Sequence, residues 1–103
     1  MNSDTFPQAL EAHVQTKMSR RYLAQLCKHF GHRLPTTYEG VRGRIEFAAG
    51  ICELSATETP TMLDLRVTAA DEIAVAALAD VVARHLTRFA FREAPEVVWQ
   101  RAA

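Results

Sequence analysis

Cys52-Glu53-Leu54-Ser55-Ala56 and, a short loop later, Leu63-Asp64-Leu65-Arg66-Val67 alternate apolar and polar side chains without a break. A period of two sends successive side chains to opposite faces of an extended chain, so each segment reads as a strand with one dry face and one wet face. The same alternation sets Val41, Ile45 and Phe47 against Arg42, Arg44 and Glu46, and Leu10, Ala12 and Val14 against Glu11, His13 and Gln15. Strands of this kind belong to an antiparallel sheet that is covered on one side only.

Two helical stripes supply the cover. Leu23, Leu26, Cys27 and Phe30 recur at i, i+3, i+4 and i+7, the spacing of one helix face. Ser19 fits the N-cap of that helix, and Gly31 fits a left-handed residue that ends it near Phe30. Val75, Leu78, Val82, Leu86 and Phe89 form the second stripe, with Thr68 and Asp71 spaced as a capping box ahead of it. Val97-Val98-Trp99 reads as a short edge strand or clamp. The fold expected is α+β, a two-layer sandwich with two helices on one face of a mostly antiparallel sheet, in the order β-α-β-β-β-β-α-(β).

The chain has 103 residues, of which 49% are hydrophobic and 23% charged. That profile fits one domain spanning residues 1–103, with an ordered core over about 9–101. Twelve basic residues balance twelve acidic ones, so composition gives no support for indiscriminate nucleic-acid or membrane binding. The first residues, Met1-Asn2-Ser3-Asp4-Thr5-Phe6-Pro7, lack the basic and apolar blocks of an export signal. With only two cysteines, the expectation is a reduced cytoplasmic protein with free thiols.

Turn chemistry predicts the registers. A Glu39-Gly40 turn pairs Tyr38 with Val41 and Leu34 with Ile45, and an Ala49-Gly50 turn pairs Phe47 with Cys52 and Ile45 with Leu54. A loop over Glu58-Thr59-Pro60-Thr61 then pairs Leu54 with Leu65 and Cys52 with Val67. These registers place Arg33, Glu46, Glu53 and Arg66 in one cross-strand row on the wet face. Two facing glutamates resemble a metal or acid–base pair, but the flanking arginines make a solvated charge ladder the simpler reading.

The first helix carries Arg20, Arg21, Cys27, His29 and His32 in close succession. At about 100° per residue Cys27 falls in the apolar stripe and His29 does not, so Cys27 reads as a small buried hydrophobe, as does Cys52. A zinc site needs three or four ligands, and no local set provides them. Arg20 and Arg21 oppose the helix dipole, which calls for a neighbouring carboxylate or for an anionic ligand. His85 lies at the edge of the second stripe with Arg88 and Arg92 on the same side. Together with Trp99 they make a cationic, aromatic patch suited to a carboxylate-bearing or planar ligand. Nothing matches a nucleophile elbow, a phosphate loop or a zinc-protease helix.

Taken together, Arg21-Tyr22-Leu23, Leu26-Cys27-Lys28-His29-Phe30, His32, Gly43-x-Ile45-x-Phe47, His85 through Glu93 and Trp99 resemble the bacterial domain-of-unknown-function family 2218. The resemblance runs from about Leu10 to Arg101. It implies a small two-layer α+β domain, of the β-α-β4-α kind also seen in TATA-binding-protein-like folds. It also implies an accessory part in iron or siderophore handling, because relatives lie beside or are fused to siderophore-interacting flavin reductases. No activity or cofactor comes with it.

Two functions follow as expectations. One is a non-catalytic binding module in which Arg21, His29, His85, Arg88, Arg92 and Trp99 receive an anionic or iron-linked small molecule. The other is an interaction module, a homodimer or a partner of a siderophore reductase, with purely structural histidines. The first requires His29 and His85 to meet in space.

Overall fold

The computed structural model describes residues 8–58 and 61–102. Eight elements follow the order β1 (Gln8–Gln15), α1 (Ser19–Gly31), β2 (Thr36–Glu39), β3 (Arg42–Glu46), β4 (Gly50–Glu58), β5 (Thr61–Ala69), α2 (Glu72–Phe89) and β6 (Gln100–Arg101). They form a six-stranded sheet in the order β2-β3-β4-β5-β1-β6, antiparallel throughout, with both helices on one side. This is the α+β sandwich expected. No helix among the described residues is long and apolar enough to cross a membrane.

The alternation decides the faces. Ala12, Val14, Ile45, Cys52, Leu54, Ala56, Leu63, Leu65 and Val67 all point under the helices and are buried. Leu23, Leu26 and Cys27 of α1 and Val75, Leu78, Val82 and Leu86 of α2 meet them. Each fully buried Leu or Val removes enough apolar surface from water to contribute about 1.5–3 kcal/mol, so this interlocked layer is the main source of stability. α1 covers the β2–β4 side of the sheet and α2 the β5–β1 side. At Gly43 a side chain is excluded, because a Cβ there would come 2.5 Å from Cys27 Sγ. That close approach is what lets α1 settle on β3.

Registers agree with expectation only in part. Leu54 pairs with Leu65 and Cys52 with Val67, and β4 and β5 extend to Glu58 and Thr61. The loop residues 59 and 60 lie outside the described residues, as does the 1–7 segment read for an export signal. The other two hairpins are each displaced by two residues. Tyr38 pairs with Gly43 and Thr36 with Ile45, so the turn is Gly40-Val41 rather than Glu39-Gly40. Gly40 has φ +61°, a left-handed conformation that favours glycine at the first turn position. Ile45 pairs with Cys52 and Gly43 with Leu54, which centres the next turn on Ala48-Ala49. Phe47 and Gly50 close it with reciprocal backbone hydrogen bonds of 2.7 and 3.3 Å.

Two helix ends also differ. Met18, not Ser19, precedes α1 as the cap and makes no side-chain cap bond, while Ser19 Oγ donates to the Thr57 carbonyl at 3.3 Å. The helix runs through Gly31 without a left-handed residue and ends where Arg33 and Leu34 both donate to the Phe30 carbonyl. α2 begins at Asp71, whose carboxylate accepts from the Ala74 amide at 2.8 Å. Thr68 stays in β5, paired with Ala9 and Ile51, and takes no part in a capping box. The tail segment contributes an edge strand of two residues, Gln100 and Arg101, which pair with Glu11 and Leu10.

Candidate functional site

Side chains four apart share a helix face, so Arg21, Gln25 and His29 form one stripe along α1. His85, Phe89 and Arg92 face that stripe from α2 and the turn after it. The furrow between them opens at the Arg21 end into a groove of about 700 Å³ lined by Lys17, Met18, Arg21, Tyr22, Gln25, Phe89, Phe91, Arg92 and Glu93; at the other end the His29 and His85 rings are in contact and line no part of that groove. Phe91 is among the most exposed large apolar side chains, and the Arg92 guanidinium sits 5.6 Å from its ring centre. The buried Oε1 of Gln25 has no hydrogen-bond partner among the described residues.

The narrow end is aromatic. The His29 and His85 rings lie 4.8 Å apart between centroids, and both touch Phe30, at 4.9 and 4.7 Å. Phe89 packs on His29 at 5.6 Å and Phe47 on Phe30 at 4.9 Å, so Phe89 belongs to both ends of the furrow. His85 Nδ1 donates to the Val81 carbonyl at 2.7 Å, which fixes the orientation of the ring. His29 is held below the ordinary histidine pKa, first by desolvation and then by His85, His32 and Arg88. A ring in this position is neutral near pH 7 and has a lone pair to offer.

Glu93 fixes the wide end. Its carboxylate accepts from Thr16 Oγ1 at 2.6 Å, the Lys17 amide at 3.1 Å and the Tyr22 hydroxyl at 2.9 Å. The Thr16 bond is the main cause of a pKa lowered from the ordinary glutamate value. A turn in which the Glu93 and Ala94 amides donate to the Ala90 carbonyl, at 3.1 and 2.8 Å, places Glu93, and Ala94, with φ +47°, redirects the chain after it. Among the described residues this carboxylate forms no ion pair with Arg21 or Arg92, although all three line the groove.

Of the residues singled out from sequence, Arg21 and Arg92 line the groove, while His29 and His85 are in contact and Arg88 acts on His29. Arg20 behaves differently from Arg21: it pairs with Glu58 at 3.5 Å, the carboxylate its position called for. Trp99 joins neither end. It packs partly buried against the core beside β6, whose Arg101 pairs with Glu72 at the start of α2, far along that helix from His85. The row Arg33, Glu46, Glu53, Arg66 does not form. With β3 displaced by two residues, the row is Arg44, Glu53, Arg66 and Glu11, and no two glutamates face each other. The ladder reading survives with different members. Cys27 and Cys52 are buried thiols whose pKa values burial pushes up to about 11 and about 12.

Sequence reasoning missed Glu93, Gln25 and His13. The partners of Glu93 lie more than 70 positions away in the chain, so no local spacing reveals them. His13 sits on the open face of the sheet, 2.7 Å from Asp64. The signal for it was the β1–β5 pairing, which alternation alone does not dictate.

The comparisons fit this description. An NMR structure of PA4090 from Pseudomonas aeruginosa is 36% identical, with a TM-score of 0.75 over 90% of this chain and 95% of that one. No curated protein matches the chain. A family model described as "uncharacterized protein conserved in bacteria (DUF2218)" matches residues 11–100, nearly the whole length, and the chain belongs to that bacterial family.

Proposed function

We propose that the protein is a non-catalytic binding module whose interhelical furrow takes a small anionic ligand with a planar or aromatic part. The observation that carries this reading is the groove edged by Arg21 and Arg92, which the His29–His85 contact at 4.8 Å adjoins through Phe89. The arginines supply charged donors for a carboxylate or catecholate oxygen. Phe89 and Phe91 offer ring faces. A ferric catecholate, anionic and built from flat rings, is the iron-linked member of this class, which ties the furrow to siderophore handling and to a reductase partner.

Absorbance titration of the purified protein with a ferric tris(catecholate), and with haem as a second planar anion, tests the reading. Saturable binding in the micromolar range is expected. Arg21→Ala and Arg92→Ala should each weaken it about tenfold, since a hydrogen bond to a charged group contributes about 1.5–3 kcal/mol. Absence of saturable binding to either probe, or equal affinity in both variants, overturns it.

A further inference from the structure

From the geometry we infer that the open face of the sheet is a self-association surface, on which a second copy of this chain packs face to face about a two-fold axis. The axis lies in the interface, parallel to the strands, between β4 and β5. Three strands fall on each side of it: β2, β3 and β4 on one, β5, β1 and β6 on the other.

The charges are self-complementary about that axis. Along the central row the order is Thr37, Arg44, Glu53, then Arg66, Glu11, Gln100. A two-fold rotation sets Glu53 of one copy against Arg66 of the other, Arg44 against Glu11, and Thr37 against Gln100. Every charged contact in this row joins opposite signs and occurs twice, as an isologous interface requires. The next row, Glu39, Arg42, Ser55, Asp64 and His13, sets the Ser55 hydroxyl of one copy against the Asp64 carboxylate of the other and Arg42 against a His13 that is paired with Asp64 of its own chain. A face bearing a like-signed row would repel its own copy; this one alternates.

Other observations agree. Glu11 already pairs with Arg66 at 2.5 Å, but Glu53, flanked by Arg44 and Arg66, has no ion pair among the described residues. It stands next to the proposed axis on β4, as Asp64 does on β5. The arginines of this face are balanced by acids, so it does not attract a polyanion. Six strands about 4.8 Å apart and up to nine residues long give roughly 600 Å² per copy. The total of about 1,200 Å² is at the lower limit for a specific interface. A polar interface of that size makes a weak, salt-sensitive dimer. The helices lie on the other side, so the furrow stays open in both copies and ligand binding is independent of assembly.

Sedimentation equilibrium at tens of micromolar protein provides the test. The wild-type chain should dimerise at low salt and dissociate progressively as salt is raised. Glu53→Arg alone and Arg66→Glu alone should each be monomeric, because each sets like charges face to face twice. An equimolar mixture of the two should recover the dimer, since every contact is then again of opposite sign. Circular dichroism checks that each variant folds, and Arg44→Glu mixed with Glu11→Arg repeats the test at the outer pair. A wild-type chain that stays monomeric at low salt, a single variant that still dimerises, or a mixture that does not pair overturns the inference.

Discussion

The covered and open faces of the sheet are built from alternate residues of the same strands and held together by different forces. Leu54 points beneath the helices and is 3% exposed, while its chain neighbour Glu53 stands on the open face between Arg44 and Arg66. Under the helices, shape decides: Gly43 is bare because Cys27 Sγ occupies the space a side chain would take. On the open face sign decides, and position tolerates change. The same contrast runs through the histidines. His13, beside Asp64 on the open face, has its pKa raised, chiefly by the hydrogen bond to that carboxylate. His29, against His85 on the helix side, has its pKa lowered.

Truncation on the two faces of β4 gives the largest effect. Leu54→Ala should cost about 2–5 kcal/mol in urea unfolding, as expected for a cavity in a close-packed layer. Glu53→Ala, one residue away, should stay within about 0.5 kcal/mol. Similar losses at the two positions would break the distinction between the faces.

A smaller effect tests the helix side. Glu93→Gln should destabilise by about 1–2 kcal/mol, since a charged acceptor for Thr16, Lys17 and Tyr22 becomes neutral on a partly solvated site. The sign with pH follows from a folded-state pKa below the ordinary glutamate value. The contribution of Glu93 is complete above that ordinary value and is lost as pH falls through the depressed one. Wild-type unfolding should therefore lose more stability in acid than the Glu93→Gln variant does. Parallel acid limbs would remove Glu93 from the clamp.

The smallest effect separates the histidines. In a proton NMR titration, His13 should titrate above the ordinary histidine value and His29 below it. Asp64→Asn should bring His13 down and His85→Ala should bring His29 up. Their contributions to stability oppose each other: that of His13 is complete below the ordinary value and lost as pH rises through its raised pKa. That of His29 is complete above the ordinary value and lost as pH falls through its lowered pKa. Coincident titrations of the two would erase the contrast.

These particulars show what was legible in the sequence. Alternation in β1, β3, β4 and β5 settles which side chains face the helices, since a one-residue slip would bury the charges. A two-residue slip costs that pattern nothing, and both misplaced hairpins were displaced by two. Backbone conformation chose between the alternatives: Gly40 takes the first turn position, and Phe47 and Gly50 close a turn of two alanines. The wrong charge row followed directly from that shift. At the candidate site, Arg21 and His29 follow from helical spacing, and so does His85. Their meeting across two helices depends on how α1 and α2 pack, which neither stripe encodes alone. Trp99 was grouped with His85 by nearness in sequence, but the chain turns at Ala94 and carries it back along α2.

The fit between Gly43 and Cys27 has a consequence for how the protein can be watched. With pKa values of about 11 and about 12, both thiols are protonated at neutral pH, and neither is accessible while α1 rests on the sheet. Alkylation must wait for the helix to lift. The two cysteines thus keep time for an event no other side chain records, the separation of the two layers, and their labelling rate counts how often it happens.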